Sequence, residues 1–183
     1  MKRNEFKELN TQLGLPFQST LDYFLQIIFK VLEKNFKLRS NSKQRFIDLG
    51  SGNGSVILYS ALNFNIISVG IEINKSLINE TKEKIRKLRK EKKCKRSVLR
   101  KIKLKNGDLF EQNLKNFDFI YIYSLPTMQR YLTHVFKTAK KGATLISYKY
   151  SMNGFDSLLK LSYKLDLEKD PTNTTVYYYK KVI

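Results

Sequence analysis

The stretch Asp48-Leu49-Gly50-Ser51-Gly52-Asn53-Gly54 puts glycine at three alternating positions directly after the apolar run Arg45-Phe46-Ile47-Asp48-Leu49. A run of that length and composition predicts a short buried strand, and Ser55 to Leu62, with Val56, Ile57, Leu58, Ala61 and Leu62 as its apolar face, predicts the helix that follows. Between the two, small residues let the backbone turn tightly and approach a ligand closely. A strand, a glycine loop and a helix in that order restrict the chain to an α/β architecture with a ligand at the loop.

The rest of the chain repeats the alternation. Ile66 to Ile71 is a second apolar run ending in Glu72, and Asn74 caps a helix predicted from Lys75 to about Lys93. Ser97 to Leu104 is read as a third strand closed by the turn Asn106-Gly107-Asp108. Phe117 to Tyr123 is a fourth, continuously apolar and aromatic as a central parallel strand should be. A helix to about Lys140 and a fifth strand, Ala143 to Tyr148, follow. Leu161–Leu167 and Thr174–Lys181, joined by a turn at Asp170-Pro171-Thr172-Asn173 with no helix between, predict an antiparallel C-terminal hairpin at one edge. Ahead of the glycine loop, Leu21, Phe24, Leu25, Ile28, Val31 and Leu32 recur at helical spacing. The expected fold is a Rossmann-like doubly wound α/β sheet of seven strands, mostly parallel, with helices on both faces. The 183 residues suit one domain, organised as an N-terminal helical segment (1–40), a ligand-binding core (44–150) and C-terminal strands (151–183).

In such a sheet ligands bind off the carboxyl ends of the strands. The glycine loop, Glu72, Asp108 and Ser124-Leu125-Pro126-Thr127 all fall there. The G-x-G-x-G spacing differs from the G-x-G-x-x-G of dinucleotide loops, which disfavours a nicotinamide-dependent oxidoreductase, and the Walker lysine is absent. An acidic residue opening the loop suits a ligand with a cationic amino acid moiety. A carboxylate ending the second strand suits ribose hydroxyls.

These motifs, with Gly70-Ile71-Glu72-Ile73-Asn74 and Asn106-Gly107-Asp108-Leu109, resemble the cofactor motifs of class I, seven-strand S-adenosylmethionine-dependent methyltransferases. More narrowly, the chain resembles the protein-lysine methyltransferases that include the archaeal broad-specificity enzymes and the ATP synthase c-subunit lysine methyltransferase. Tyr123–Met128, Gly142–Tyr150 and Pro16-Phe17-Gln18-Ser19 carry the narrower likeness. Asn53, Lys75 and Gln18 depart from its commonest residues, and the lysine-rich stretch around 82–101 lies outside its pattern. The resemblance implies that Asp48, Gly50, Ser51, Gly52 and Gly54 hold the methionine part of S-adenosylmethionine. It implies that Glu72 binds the ribose, that Ile73, Asn74, Asp108 and Leu109 surround the adenine side, and that Tyr123, Ser124 and Pro126 line the catalytic mouth. Phe17, Gln18 and Ser19 would cover cofactor or substrate.

Charge bears on the acceptor. Lys plus Arg number 35 against 16 Asp plus Glu, a net +19, and 14 of the 24 residues from Lys82 to Lys105 are basic. Such an excess favours acidic protein surfaces or nucleic acid. The implied acceptor is a protein lysine. A nucleic-acid methyltransferase is the alternative, although Ser124–Thr127 lacks the Asp/Asn-Pro-Pro-aromatic loop of base N-methylases. A non-catalytic basic binding module on the same fold is the other, disfavoured by the intact loop and both acids. The single cysteine, Cys94, forms neither an internal disulfide nor a metal site alone, so no metal is expected. No signal peptide is evident and no apolar run approaches the ~20 residues of a membrane span. A cytoplasmic monomer is the expectation. His134, the sole histidine, is read as surface or partly packed.

Overall fold

The computed structural model describes residues 22–167 and 173–183. It contains one seven-stranded sheet flanked by helices. Helix α1 (Asp22–Phe36) leads into β1 (Arg45–Leu49), α2 (Ser55–Phe64), β2 (Ile67–Glu72), α3 (Lys75–Lys90), the short α4 (Arg96–Leu99) and β3 (Ile102–Asn106). Next come β4 (Phe119–Ile122), α5 (Pro126–Gln129), α6 (Thr133–Lys137), β5 (Thr144–Tyr148), β6 (Leu159–Asp166) and β7 (Thr175–Lys181). The strand order is β3-β2-β1-β4-β5-β7-β6. Strands β3, β2, β1, β4 and β5 pair in parallel, and β7 lies antiparallel between β5 and β6. The predicted C-terminal antiparallel pair is therefore present, with β6 outermost.

Two cores sandwich the sheet. On one face Leu25, Ile28, Phe29 and Leu32 of α1 pack on Phe46, Tyr121, Ile146 and Tyr178. Tyr178 also donates its hydroxyl to the Ile28 carbonyl at 3.1 Å, tying β7 to α1. On the other face Ile47, Ile71, Ile120 and Ile122 meet Val135 and Phe136 of α6 and Met152, Phe155 and Leu158 beyond β5. Strand β4 is buried on both faces, which is why its sequence reads as an unbroken apolar run, and β1 is buried from Phe46 onward although it carries Asp48. A smaller cluster of Ile57, Leu58, Ala61, Leu99 and Ile102 seats α2 and α4, with Ile85 and Leu88 of α3 against it.

Several elements differ from expectation. The third strand is not Ser97–Leu104. Arg96–Leu99 forms a helical turn, because Leu99 turns inward to that small cluster, and the strand begins at Ile102. The helix expected to run unbroken to Lys140 is split into α5, a 3-10 turn at Arg130–Leu132 and α6. Leu132, Val135 and Phe136 all reach the core, on the spacing that a continuous helix would also present. Helix α3 stops at Lys90, and β4 is shorter than Phe117–Tyr123 at both ends. Residues 16–19, expected to cover the site, lie outside the described residues, as does most of the turn after β6.

Candidate active site

The glycine loop is held against the end of β2 by the backbone. Gly50 and Ser51 both donate their N–H to the Ile71 carbonyl at 2.9 Å. Glu72 completes the grip: its Oε2 accepts from the Gly52 N–H and its Oε1 from the Asn74 N–H, each at 2.8 Å. Ribose binding was the expectation for Glu72. The structure adds that this carboxylate also fixes the loop and the start of α3. Asn74 caps α3 as predicted, its side chain accepting from the Ser76 N–H.

Two glycines carry this geometry. Gly54 has φ +77°, the left-handed region that L side chains avoid, and Thr81 of α3 occupies the space a Cβ would need. Gly70, in the middle of β2, has Ser51 lying directly over it; a Cβ there would stand 2.6 Å from Ser51 Oγ and 2.8 Å from Ile57 Cδ1. Gly70 was read as the opening of the Gly70–Asn74 motif with no packing role of its own, and Thr81 as one position of a polar helix; how closely each packs on the loop was not apparent from the sequence.

Asp48 is buried, 3% exposed. Burial, reinforced by the nearby charge of Glu72, pushes its carboxyl up to about 8. A cationic group brought alongside would offset both penalties. Ser51 is 5% exposed, and its hydroxyl has no hydrogen-bond partner. Buried hydroxyls are normally satisfied, so an orphan at the loop's inner wall is an open position for a ligand's polar group. Ile73 is 61% exposed beside Glu72, a large apolar side chain with one face uncovered. Leu109 approaches the loop from the other side, its Cδ2 lying 3.8 Å from where a Gly50 Cβ would be. Asp108 caps the turn Leu109–Glu111 through the Phe110 N–H at 2.9 Å. An acid, an orphan hydroxyl, a hydrogen-bonding carboxylate and apolar side chains beside the loop fit an adenosyl amino acid.

The exit of β4 is built differently. Ser124 is 5% exposed and its hydroxyl is also unpartnered. Gln129, itself buried, donates its amide to the Ser124 carbonyl at 3.1 Å and to Ser147 Oγ at 3.3 Å. Ser147 in turn donates to the Tyr150 carbonyl at 2.6 Å. Gln129 thus ties the loops after β4 and β5 together, a role its place in a short polar stretch did not reveal. The Tyr123 ring meets Tyr148 edge-on at 5.1 Å and lies near-parallel to Tyr150 at 6.3 Å. Pro126 begins α5 and is exposed. His134 is exposed, and its Nε2 lies 2.7 Å from the Phe110 carbonyl, so it braces the loop after β3.

Comparison with known proteins bears on the family and the fold. The family described as ANTKMT methyltransferase domain matches residues 48–158, which run from the first residue of the glycine motif to the end of the segment after β5. A protein-lysine N-methyltransferase of Saccharolobus islandicus (strain REY15A) is 25% identical over 153 residues, covering 82% of this chain and 88% of that one. Among solved structures, an RNA methyltransferase from Salinibacter ruber in complex with S-adenosyl-L-homocysteine superposes with a TM-score of 0.73 at 20% identity, covering 90% of this chain and 94% of that one. TrmK of M. capricolum, also in complex with S-adenosyl-homocysteine, superposes at 0.61 with 15% identity, covering 89% and 70%. At such identities the structural matches speak for the fold. The family match spans more than half of the chain, and with the seven-strand sheet and the glycine loop it has one conclusion: the chain belongs to the ANTKMT methyltransferase domain family and is an S-adenosylmethionine-dependent methyltransferase.

Proposed function

We propose that the methyl acceptor is the side-chain amine of a lysine in a protein substrate. The observation that carries this reading is the β4 exit, where the orphan Ser124 hydroxyl sits in a loop followed along the chain by no carboxylate before Asp156. Three tyrosine rings stand nearby at the ends of β4 and β5. A neutral amine can donate an N–H to a serine oxygen, and aromatic faces favour an alkylammonium. The likeness to a protein-lysine N-methyltransferase across most of both chains supports the same acceptor.

In this reading Asp48 and the loop residues Gly50, Ser51, Gly52 and Gly54 hold the amino acid end of the cofactor. Glu72 receives the ribose hydroxyls on lone pairs not used by Gly52 and Asn74. Ile73 and Leu109 flank the adenine, with Asp108 and Asn74 at its rim. Bound S-adenosylmethionine supplies a methyl group on a sulfonium, which passes to the amine by in-line displacement. Tyr123, Ser124 and Pro126 line the mouth, and Ser124 orients the nitrogen lone pair. The amine, whose ordinary pKa is ~10.4, sheds its proton to solvent before it docks, so no dedicated base is needed. Positive charge then passes to the acceptor nitrogen, where the tyrosine faces stabilise it.

Radiolabelled S-adenosylmethionine supplied with cell lysate tests the acceptor. Label is expected in material that protease degrades and nuclease does not, and to appear as methyl-lysine after acid hydrolysis. Label that vanishes with nuclease and survives protease refutes the lysine reading.

A further inference from the structure

The basic run from Lys82 to Lys105 is not used by the methyl-transfer site. In the fold it becomes a continuous band around the β3 edge of the sheet. Lys82, Arg86, Lys87, Arg89 and Lys90 are exposed along α3, and Lys95, Arg96 and Arg100 continue through α4. Lys103 and Lys105 are exposed on β3, the edge strand, and the band returns to Asn106, whose amide contacts the Glu72 and Ile73 carbonyls. Acids neutralise little of it. Glu80, Glu83 and Glu91 pair with Lys84, Arg86 and Lys93, and Glu91 also feels the charge of Lys87, whereas Lys82, Arg89, Lys90, Lys95 and Arg96 form no such pair among the described residues.

The band also lacks what a protein partner needs. Residues 75–106 contain no aromatic side chain. Of their apolar residues, Ile78 is buried and Ile85, Leu88, Leu99, Ile102 and Leu104 pack in or against the small core cluster, while Leu77 and Val98 are half-buried. Protein interfaces draw most of their affinity from buried aromatic and apolar anchors, so a face of this kind would hold a protein weakly. Without aromatic platforms it also offers no stacking for unpaired bases. Regularly spaced phosphates suit it better. The 16 residues of α3 span about 24 Å, a length over which a duplex presents roughly 14 phosphate charges.

We propose that this band binds the phosphate backbone of a nucleic-acid duplex without reading bases. The binding is independent of which acceptor the active site methylates. RNA and DNA share the recognised chemistry, so both serve as probes: fluorescein-labelled 20-base-pair duplexes of one sequence, titrated with the full chain by anisotropy at several salt concentrations. Replacing Lys87, Arg89, Lys90 and Arg96 with Gln is expected to weaken duplex binding at least about tenfold and to reduce the slope of log affinity against log salt by about 3–4. A second variant with Gln at Lys30, Lys34, Lys141 and Lys160, exposed positions elsewhere, removes the same charge and is expected to change affinity less than about threefold. Both variants should bind S-adenosylmethionine as the wild type does, which separates this test from that of the acceptor. Equal losses in the two variants would overturn the proposal, as would no duplex binding by the wild type at 50 mM salt. Tighter binding of polyglutamate or of phosphatidylglycerol vesicles, lost in the first variant, would also overturn it.

Discussion

Gly70→Ala probes the least conspicuous constraint on the cofactor loop. The backbone of Gly70 is ordinary strand, so alanine meets no torsional strain, and the loss of glycine's unfolded freedom should by itself stabilise by about 0.5–1 kcal/mol. The added methyl, however, would stand 2.6 Å from Ser51 Oγ, 2.9 Å from Ser51 Cβ and 2.8 Å from Ile57 Cδ1. The hydroxyl and the isoleucine tip can rotate away. Ser51 Cβ cannot, because the Ser51 N–H is bonded to the Ile71 carbonyl. Overpacking of a tight core costs about 1–3 kcal/mol, so the net loss should be about 1 kcal/mol, or roughly 2–4 °C in Tm for a chain of this size. Displacing Ser51 also moves the loop, so S-adenosylmethionine affinity should fall at least about tenfold, equivalent to 1.4 kcal/mol. Differential scanning calorimetry and isothermal titration read the two effects. Gly107→Ala is the control, since its Cβ would find only ordinary contacts at 3.7 Å. Wild-type stability and affinity in Gly70→Ala, or an equal loss of stability in Gly107→Ala, would refute the packing argument.

Four further outcomes follow from the site. Glu72→Ala removes the acceptor of two backbone N–H groups and should weaken cofactor binding by about 1–3 kcal/mol; unchanged affinity in titration calorimetry would mean that the ribose binds elsewhere. The raised Asp48 carboxyl means that the folded chain keeps a proton the unfolded chain sheds above its ordinary 3.8, so stability should fall as pH climbs from there to about 8, and Asp48→Asn should flatten that fall in urea titrations. Cofactor binding below pH 8 should release a proton in wild type, seen as a buffer-dependent heat, and none in Asp48→Asn. Gln129→Leu severs the tie between the Ser124 carbonyl and Ser147 and should lower kcat at least about tenfold with little change in cofactor affinity; an unaltered kcat would show that the loop holds its shape without it.

The alternation of apolar runs and helical patterns was readable because β1, β2, β4 and β5 are buried and their sequences show little but apolar side chains. The loop's tight path was readable because three glycines at alternating positions mark a backbone that turns where side chains do not fit. The start of β3 was misplaced because Val98 and Leu99 look the same whether they point inward from a helical turn or from a strand. That Glu72 fixes the loop and the start of α3 was hidden because its partners are backbone N–H groups, which leave no trace in side-chain identity. Gln129 was missed for a related reason: a buried amide linking two loops is recognisable only once β4 and β5 are known to be neighbours.

The placement of β7 between β5 and β6 has a consequence for how the protein is made. Five parallel strands, β1 to β5, are complete in the nascent chain by Tyr148, yet β5 has an unpaired side until Thr175–Lys181 arrives. At synthesis rates of roughly 5–20 residues per second, those 33 residues take about 2–7 s. During that interval an apolar strand of Thr144-Leu145-Ile146-Ser147-Tyr148 offers its edge to any other chain, and β6 emerges before the neighbour it must pair with. The window for misassembly therefore lies between two stretches of translation, after Tyr148 and before Lys181.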